Sequence, residues 1–248
     1  MDFLHTLEHH LLDHPLGRSF AVGGIHFQIT EHLLLLWIGA AIILVTFTLA
    51  ARGWPLIPTG GRSLIELFIV FIRDELVMPS LGEEGLHLLP YFLTLFFFIL
   101  VVSLLGLIPG SATATGNISV TAGLALCTLG LINLVGIQHF GFLQHFKNFI
   151  PHGLPAWLIP LMLPLELLGL LTRSFALAIR LFANMIAGHI VILSLLSLIF
   201  LLGSVFVAPA SVGAAVGLSL LEIFVAFLQA YIFTLLSCIF VGASLHPH

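Results

Sequence analysis

Three ionisable residues, Glu166, Arg173 and Arg180, occur at seven-residue intervals in an otherwise apolar stretch. Seven residues make about two turns of an α-helix, so all three are expected along one stripe of a helix. An ionisable side chain at bilayer depth costs several kcal/mol unless it faces a cavity or a partner. The stripe is therefore a candidate functional site. In an alternative interpretation, Glu166 and Arg173 simply neutralise one another.

The residues that surround Arg180 on this predicted helix are small. They are Ala176, Ala183, Asn184, Ala187 and Gly188. Small residues allow another helix to approach closely, and a guanidinium stays protonated at any accessible pH. A mobile carboxylate that passes this permanent cation would be forced to ionise. Alternatively, Arg180 pairs with Glu222 and holds two helices together.

Polar side chains further along the chain suit proton transfer. His189 follows Arg180 by nine residues, which places it on nearly the opposite side of the helix, and imidazole titrates near neutrality. Glu222 and Gln229 are seven residues apart and share one stripe of the last apolar segment, with Tyr231 close behind. These groups could line a water path on one side of Arg180.

Glu166 and Asn184 are the remaining polar candidates, and they could line a second path. Two access routes separated by a fixed positive charge are what a proton translocator needs. Arg173 and Tyr231 are possible secondary contributors. The pattern contains no metal-ligand or cofactor-binding arrangement, and the absence of a Gly-rich phosphate loop predicts no nucleotide site.

The composition places these residues in a membrane. Of 248 residues, 60% are hydrophobic and 7% are charged, and the mean hydropathy is +1.21. Soluble domains carry about 25% charged residues. No basic patch is present that would neutralise the phosphates of a nucleic acid. Cys127 and Cys238 lie in apolar runs without a second sulfur at a metal or redox spacing.

Uncharged runs of about 20 residues, the length that crosses the hydrocarbon as a helix, predict the membrane spans. Three such runs are Leu33 to Ala51, Tyr91 to Ile108 and Ile118 to Ile137. Two long helices are expected at roughly 161 to 203 and 212 to 244, on either side of Pro209. Both exceed one perpendicular span, so strong tilt is expected. The predicted fold class is an all-α integral membrane protein with about five membrane-embedded helices.

Residues 62 to 78 are too short and too charged to cross, and their apolar residues recur at helical spacing, which predicts an interfacial amphipathic helix. Arg52, Arg62 and Arg73 precede the second span and Lys147 follows the third, whereas loops 109–117 and 204–211 carry no Lys or Arg. By the positive-inside rule, the N-terminus is then outside and the C-terminus cytoplasmic.

The first 30 residues are expected to form an extramembrane segment, and residues 31–248 the membrane domain. This segment lacks the basic start and apolar run of a secretory signal and the Arg/Ser bias of a transit peptide. Its histidines have i, i+4 spacings that could bind metal, although a wet helix that contacts a partner is the preferred interpretation. They are His5, His9, His10 and His14.

Two segments carry a resemblance to a known family. LTRSFALAIRLFANMIAGHIV, at residues 171–191, resembles the signature of subunit a of F-type ATP synthases, and LEIFVAFLQAYIFTLL, at 221–236, resembles that family's last helix. The order of spans, the amphipathic helix and the paired long helices also fit, so the resemblance covers nearly the whole chain. It implies a stator subunit of the Fo sector, which couples proton transport to rotation and ATP synthesis.

The resemblance implies roles for individual residues. Arg180 matches the essential arginine that faces the rotor ring of subunit c. Asn184 and Gln229 match polar positions near that arginine. His189 and Glu222 match the pair associated with the outer half-channel, in the order found in mitochondrial and several bacterial members.

Glu166 matches an acidic position of the inner half-channel, and Arg173 has no equally firm counterpart. Implied partners are the subunit c ring, the subunit b peripheral stalk, the rest of the ATP synthase complex and the lipid bilayer, with no nucleic acid. ATP chemistry would belong to partner subunits, so this chain would be a non-catalytic channel subunit.

A proton-coupled secondary transporter, in which Arg180 binds an anionic substrate, is the alternative function. The absence of a repeated pair of broken helices argues against it. The surroundings of Arg180 discriminate between these functions: a face open to another subunit, an enclosed cavity, or an internal salt bridge. A bacterial inner membrane is the expected location because no transit peptide is evident, and the mitochondrial inner membrane is the alternative.

Overall fold

The computed structural model describes residues 20–22, 25–27, 30–52, 60–108, 114–142, 144, 159–202 and 208–245. The N-terminal histidines, Lys147 and the side chain of Glu166 lie outside the described residues. The predicted extramembrane segment and its surface helix therefore stay predictions. The α-helices of the described part are α1 (Glu31–Ala51), α2 (Gly61–Phe71), α3 (Met78–Leu81), α4 (Leu89–Gly106), α5 (Ile118–Phe140), α6 (Ile159–Leu202) and α7 (Ala208–Leu245).

Within the described ranges, five stretches of helix are long and apolar enough to cross a membrane. They are Glu31–Ala51, Glu83–Gly106, Ile118–Phe140, Leu171–Ile199 and Ala208–Leu245. The predicted all-α membrane class and the predicted number of spans are confirmed. The structure adds one short antiparallel hairpin, β1 (Phe20–Val22) with β2 (Ile25–Phe27), in which Ala21 lies opposite His26.

The helix ends follow from local chemistry. Thr30 caps α1, because its Oγ1 accepts a hydrogen bond from the Leu33 amide at 3.4 Å and satisfies one of the first-turn donors. The last helix begins at Ala208, four residues before the predicted start at 212. Pro209 is tolerated there because the first turn of a helix does not need its missing N–H.

The predicted amphipathic helix is present, but its hydrogen bonding changes midway. After α2 the chain continues as a π-helix, Ile72–Val77, before α3 ends at Leu81. Arg73 donates to Asp74 from Nε at 2.7 Å and from Nη2 at 3.1 Å. This pairing holds the pKa of the Asp74 carboxyl below its ordinary value, chiefly through the hydrogen bond.

The chain divides into two compact units. The first comprises Met1–Arg52, Phe97–Val120 and Arg180–Ala230, as far as these are described, and the second comprises Gly53–Phe96, Thr121–Ile179 and Tyr231–His248. In the first unit, α1 packs on α4: the rings of Phe47 and Phe97 meet edge to face at 5.0 Å. A Cβ built on Gly39 would lie 2.8 Å from Val102 Cγ2, so the two helices approach closely at this glycine.

The second unit has a phenylalanine-rich core. Phe92, Phe96 and Phe233 are fully buried there, and the ring of Phe68 lies 5.9 Å from that of Phe96, which attaches α2 to α4. Ser244 Oγ donates to the Ile132 carbonyl at 3.1 Å and links α7 to α5. This unit also holds the lower-numbered part of α6, up to Ile179.

Candidate functional site

Arg180 lies half-buried on a face of α6 that is otherwise lined by small residues. Ala183, Asn184 and Ala187 are exposed on that face. In the described part of the chain no ion pair involves Arg180, so the alternative interpretation in which it pairs with Glu222 is not supported. The guanidinium is therefore presented on a bare, small-residue surface, to which another helix can approach closely.

A hydrogen bond between α6 and α7 lies behind this face. Asn184 Nδ2 donates to Gln229 Oε1 at 3.2 Å. Gln229 is only 4% exposed, so its amide lies inside the protein. The seven-residue spacing from Glu222 had placed Gln229 on the stripe of Glu222, and both side chains do line one cavity.

This cavity contains space of about 20 Å³ for the centres of water molecules. It lies wholly within the first unit, and α4, the turn Ala114–Gly116, α6 and α7 contribute to it. Its lining residues are Ser103, Thr115, Leu181, Asn184, Met185, Glu222, Val225, Ala226 and Gln229. Polar groups thus face each other at the depth of apolar spans, an arrangement that marks ion pathways in membrane proteins.

Glu222 reaches this cavity by packing directly on the backbone of α6. A Cβ built on Gly188 would collide with Glu222 Oε1 and would lie 2.7 Å from its Cδ. Only glycine leaves room for the carboxylate at this place. The small residue that the sequence placed beside Arg180 therefore also accommodates the acid of the neighbouring helix.

The ring nitrogens of His189 lie within hydrogen-bond distance of two backbone carbonyl groups, and His189 is not among the residues that line the cavity. Its Nε2 lies 3.0 Å from the Gly106 carbonyl oxygen and its Nδ1 lies 3.2 Å from the Met185 carbonyl oxygen. A carbonyl oxygen only accepts, so a neutral ring, with one N–H, donates to one of these oxygens, and a protonated ring donates to both. The structure thus brings Asn184, Glu222 and Gln229 together around one cavity, and His189 is not among its lining residues.

Arg173 and Tyr231, the possible secondary contributors, lie in the second unit. The Arg173 guanidinium carbon is 5.7 Å from the centroid of the Phe240 ring, which links α6 to α7 by a cation–π contact. The Tyr231 ring lies 5.8 Å from that of Phe71. Pairing of Arg173 with Glu166 stays a prediction, because the side chain of Glu166 lies outside the described residues.

Two polar cavity residues, Ser103 and Thr115, are not among the candidates that the sequence indicates. Ser103 and Thr94 are the only serine and threonine residues in the run Tyr91 to Ile108, a signal that could have singled out Ser103. Thr115 lies in a loop that contains several small polar residues, and nothing in that loop distinguishes it. Among the described residues no group of three or more His, Cys, Asp or Glu could hold a metal ion.

The spans and the buried polar cavity define a polytopic α-helical membrane protein with an intramembrane polar site. Residues 33–242 match the family described as ATP synthase A chain. Since the match includes most of the chain, the protein belongs to this family.

Curated relatives agree with this assignment. The ATP synthase subunit a of Anaeromyxobacter dehalogenans (strain 2CP-C) is 46% identical over 242 residues, which are 96% of this chain and 63% of the relative. That of Myxococcus xanthus (strain DK1622) is 45% identical over 91% of this chain and 77% of the relative. That of Chloroherpeton thalassium (strain ATCC 35110 / GB-78) is 44% identical over 96% and 74%. The chain thus spans slightly less than two thirds of the first of these relatives, and with five candidate spans and bacterial relatives it is a bacterial membrane protein.

Proposed function

We propose that this chain is the proton-translocating stator subunit of an F-type ATP synthase membrane sector. It provides two half-channels to and from a rotor ring of subunit c, and it couples proton flow to rotation and ATP synthesis. The chain is not itself catalytic, because ATP chemistry takes place on partner subunits. Family membership supports this function and disfavours the secondary transporter.

The bare Arg180 face is the observation that carries the proposal. A cation that has no ion pair among the described residues, on an exposed face of small residues, suits a moving partner carboxylate better than an enclosed substrate. A rotor carboxylate that reaches Arg180 loses its proton to the inner route, because the nearby cation favours the ionised form. The same charge repels protons and prevents direct leakage between the routes.

The two routes use the remaining candidates. Protons enter from outside near Glu222 and His189, with Gln229 and Asn184 beside Arg180, and leave through an inner route near Glu166. Each proton that crosses the membrane down the potential releases about 2.3 kcal/mol of free energy per 100 mV. Arg173 and Tyr231 have secondary roles in this scheme.

The chain's setting completes the proposal. Residues 1–30 form the extramembrane segment and residues 31–248 the membrane domain of subunit a. The protein lies in the bacterial inner membrane with its N-terminus outside and its C-terminus in the cytoplasm. It contacts the subunit c ring and the subunit b peripheral stalk, and it needs no cofactor.

The test compares ATP-driven proton pumping and passive proton leak in vesicles that contain the assembled complex. Arg180→Ala is expected to abolish pumping and to maintain or increase leak, and Glu222→Gln is expected to slow pumping without added leak. Arg73→Gln serves as the matched control, because that arginine is exposed and lies outside the candidate spans. Pumping that survives in a fully assembled Arg180→Ala complex would overturn the proposal.

A further inference from the structure

Three buried polar atoms around the cavity of the first unit lack a hydrogen-bond partner among the described residues. They are Thr115 Oγ1, Glu222 Oε1 and Gln229 Nε2. All three residues line the same cavity, and Thr115 is only 1% exposed. A buried polar group that makes no hydrogen bond is costly, so three of them at one place point to a ligand.

The chemistry of these atoms restricts the class of that ligand. Gln229 uses its Oε1 to accept from Asn184, so its Nε2, which carries two N–H donors, is the atom left for a ligand. Glu222 Oε1 accepts, and the Thr115 hydroxyl both donates and accepts. A metal cation cannot accept from an N–H group, whereas water donates and accepts.

The size of the cavity agrees with this chemistry. Its volume of about 20 Å³ exceeds the 10–15 Å³ that one water molecule needs. Ser103, itself 3% exposed, adds a second hydroxyl to the lining. Buried water normally has two to four polar partners, and this lining supplies them.

Thr115 lies in a short, supported turn, so its hydroxyl is well placed to bind a molecule in the cavity. It lies in the 3-10 turn Ala114–Gly116, between α4 and α5, and this turn packs against α1. Its hydroxyl therefore reaches the cavity from a short, supported turn. His189, whose ring nitrogens lie against two carbonyl oxygens, does not line this space.

We propose that Thr115 is a positioning residue of the proton route: its hydroxyl, together with Glu222 and Gln229, holds ordered water in this cavity on the path past Glu222. The binding of water in this cavity does not depend on the proposed function. The role of that water in a proton route rests on the proposed function. Each bound water passes one proton to its acceptor and receives one from its donor, so the site itself is unchanged after each transfer.

The first experiment is an electron cryo-microscopy map of the assembled complex at a resolution that shows ordered water. We expect density within hydrogen-bond distance of Thr115 Oγ1, Glu222 Oε1 and Gln229 Nε2, and its loss or displacement in Thr115→Val. Thr128→Val is the matched control, because that buried threonine donates to the Leu124 carbonyl and lies outside the cavity. A wild-type cavity without density would overturn the assignment of water. Density that contacts only oxygen atoms, at distances shorter than hydrogen bonds, would also overturn it, because a metal cation binds in that way.

The second experiment measures ATP-driven pumping by the same complexes. Thr115→Val is expected to slow pumping about tenfold, as for the loss of one buried hydrogen bond, and Thr115→Ser to keep most of the rate because it restores the hydroxyl. Thr128→Val should pump at the wild-type rate. If Thr115→Val pumps normally while Arg180→Ala does not, the role of Thr115 in the route is wrong and the proposed function stands.

Discussion

Glu222 and Gly188 form the tightest contact at the polar site. The carboxylate occupies the space that a side chain at residue 188 would need. The contact is with the far end of a flexible side chain, so a larger residue would move the carboxylate without disrupting the helix. The position of the acid, rather than the stability of the fold, depends on this glycine.

Gly188→Ala is therefore expected to leave assembly of the complex intact and to slow ATP-driven pumping about ten- to a hundredfold, because a displacement of about 1 Å has effects of this size. The rate is measured in vesicles and normalised to the amount of assembled complex. Gly123→Ala is the control, since a Cβ built there meets nothing within 4 Å. Equal rates for the two variants would show that the contact does not position Glu222.

Part of this site could be predicted residue by residue. Asn184 and Gln229 stand out in the sequence as polar groups on apolar helices, but the residue-based interpretation assigns Asn184 to a second path with Glu166, whereas the structure joins it to Gln229 by a hydrogen bond. Thr115 could not be found in this way, because its role depends on how the turn between α4 and α5 docks, which no local pattern records. The separation of His189 from the cavity likewise depends on the approach of the Gly106 carbonyl.

At the scale of elements, α7 and α3 approach one another through a glycine. A Cβ built on Gly242 would collide with the carbonyl oxygen of Ser80. Here the obstacle is backbone, which cannot rotate away as a side chain can. The end of α7 is thus fixed against the segment that follows the π-helix.

Gly242→Ala is accordingly expected to destabilise the protein by about 1–3 kcal/mol, as overpacking does, and to lower its midpoint of thermal unfolding in detergent. Gly217→Ala, in the same helix and with nothing within 4 Å of the new Cβ, is expected to be neutral or slightly stabilising. If both variants melt at the same temperature, the backbone of Ser80 does not restrict the space at Gly242.

The elements were predictable to different degrees. Hydropathy finds the spans because it depends on composition alone, and the two long helices appear near their predicted bounds. The π-helix Ile72–Val77 was not predicted, because a change of hydrogen-bond register uses the same residue types as an α-helix. The sequence predicts the start of α7 four residues too late, because a proline in an apolar run indicates a helix break, whereas Pro209 lies in the first turn of this helix.

At the scale of the whole molecule, the spans present many apolar side chains on their outside. Trp37 is 72% exposed, and Leu44, Val45 and Leu49 of the same helix are also exposed. In water such a surface would aggregate, whereas lipid tails solvate it. The exposed helices are consistent with a bilayer around the chain, and its orientation in that bilayer can be tested directly.

The positive-inside count predicts that the loop at 109–117 is outside and the loop around Lys147 is cytoplasmic. In a background of Cys127→Ala and Cys238→Ala, a membrane-impermeant maleimide should label Thr113→Cys in intact cells and Asn148→Cys only in inverted vesicles. Permeabilised cells, in which both are labelled, provide the control. The reverse pattern would mean that the chain has the opposite orientation.

The small residues beside Arg180 also affect how easily a partner can move past. Helices with large side chains interlock, ridge into groove, and resist sliding. Ala176, Ala183 and Ala187 offer almost no ridges, so a helix that packs on this face would meet low steric barriers, and the Arg180 guanidinium would be the largest group in its way. A partner helix could therefore slide along this face of α6 with little steric resistance, and only the charge of Arg180 would favour one position over another.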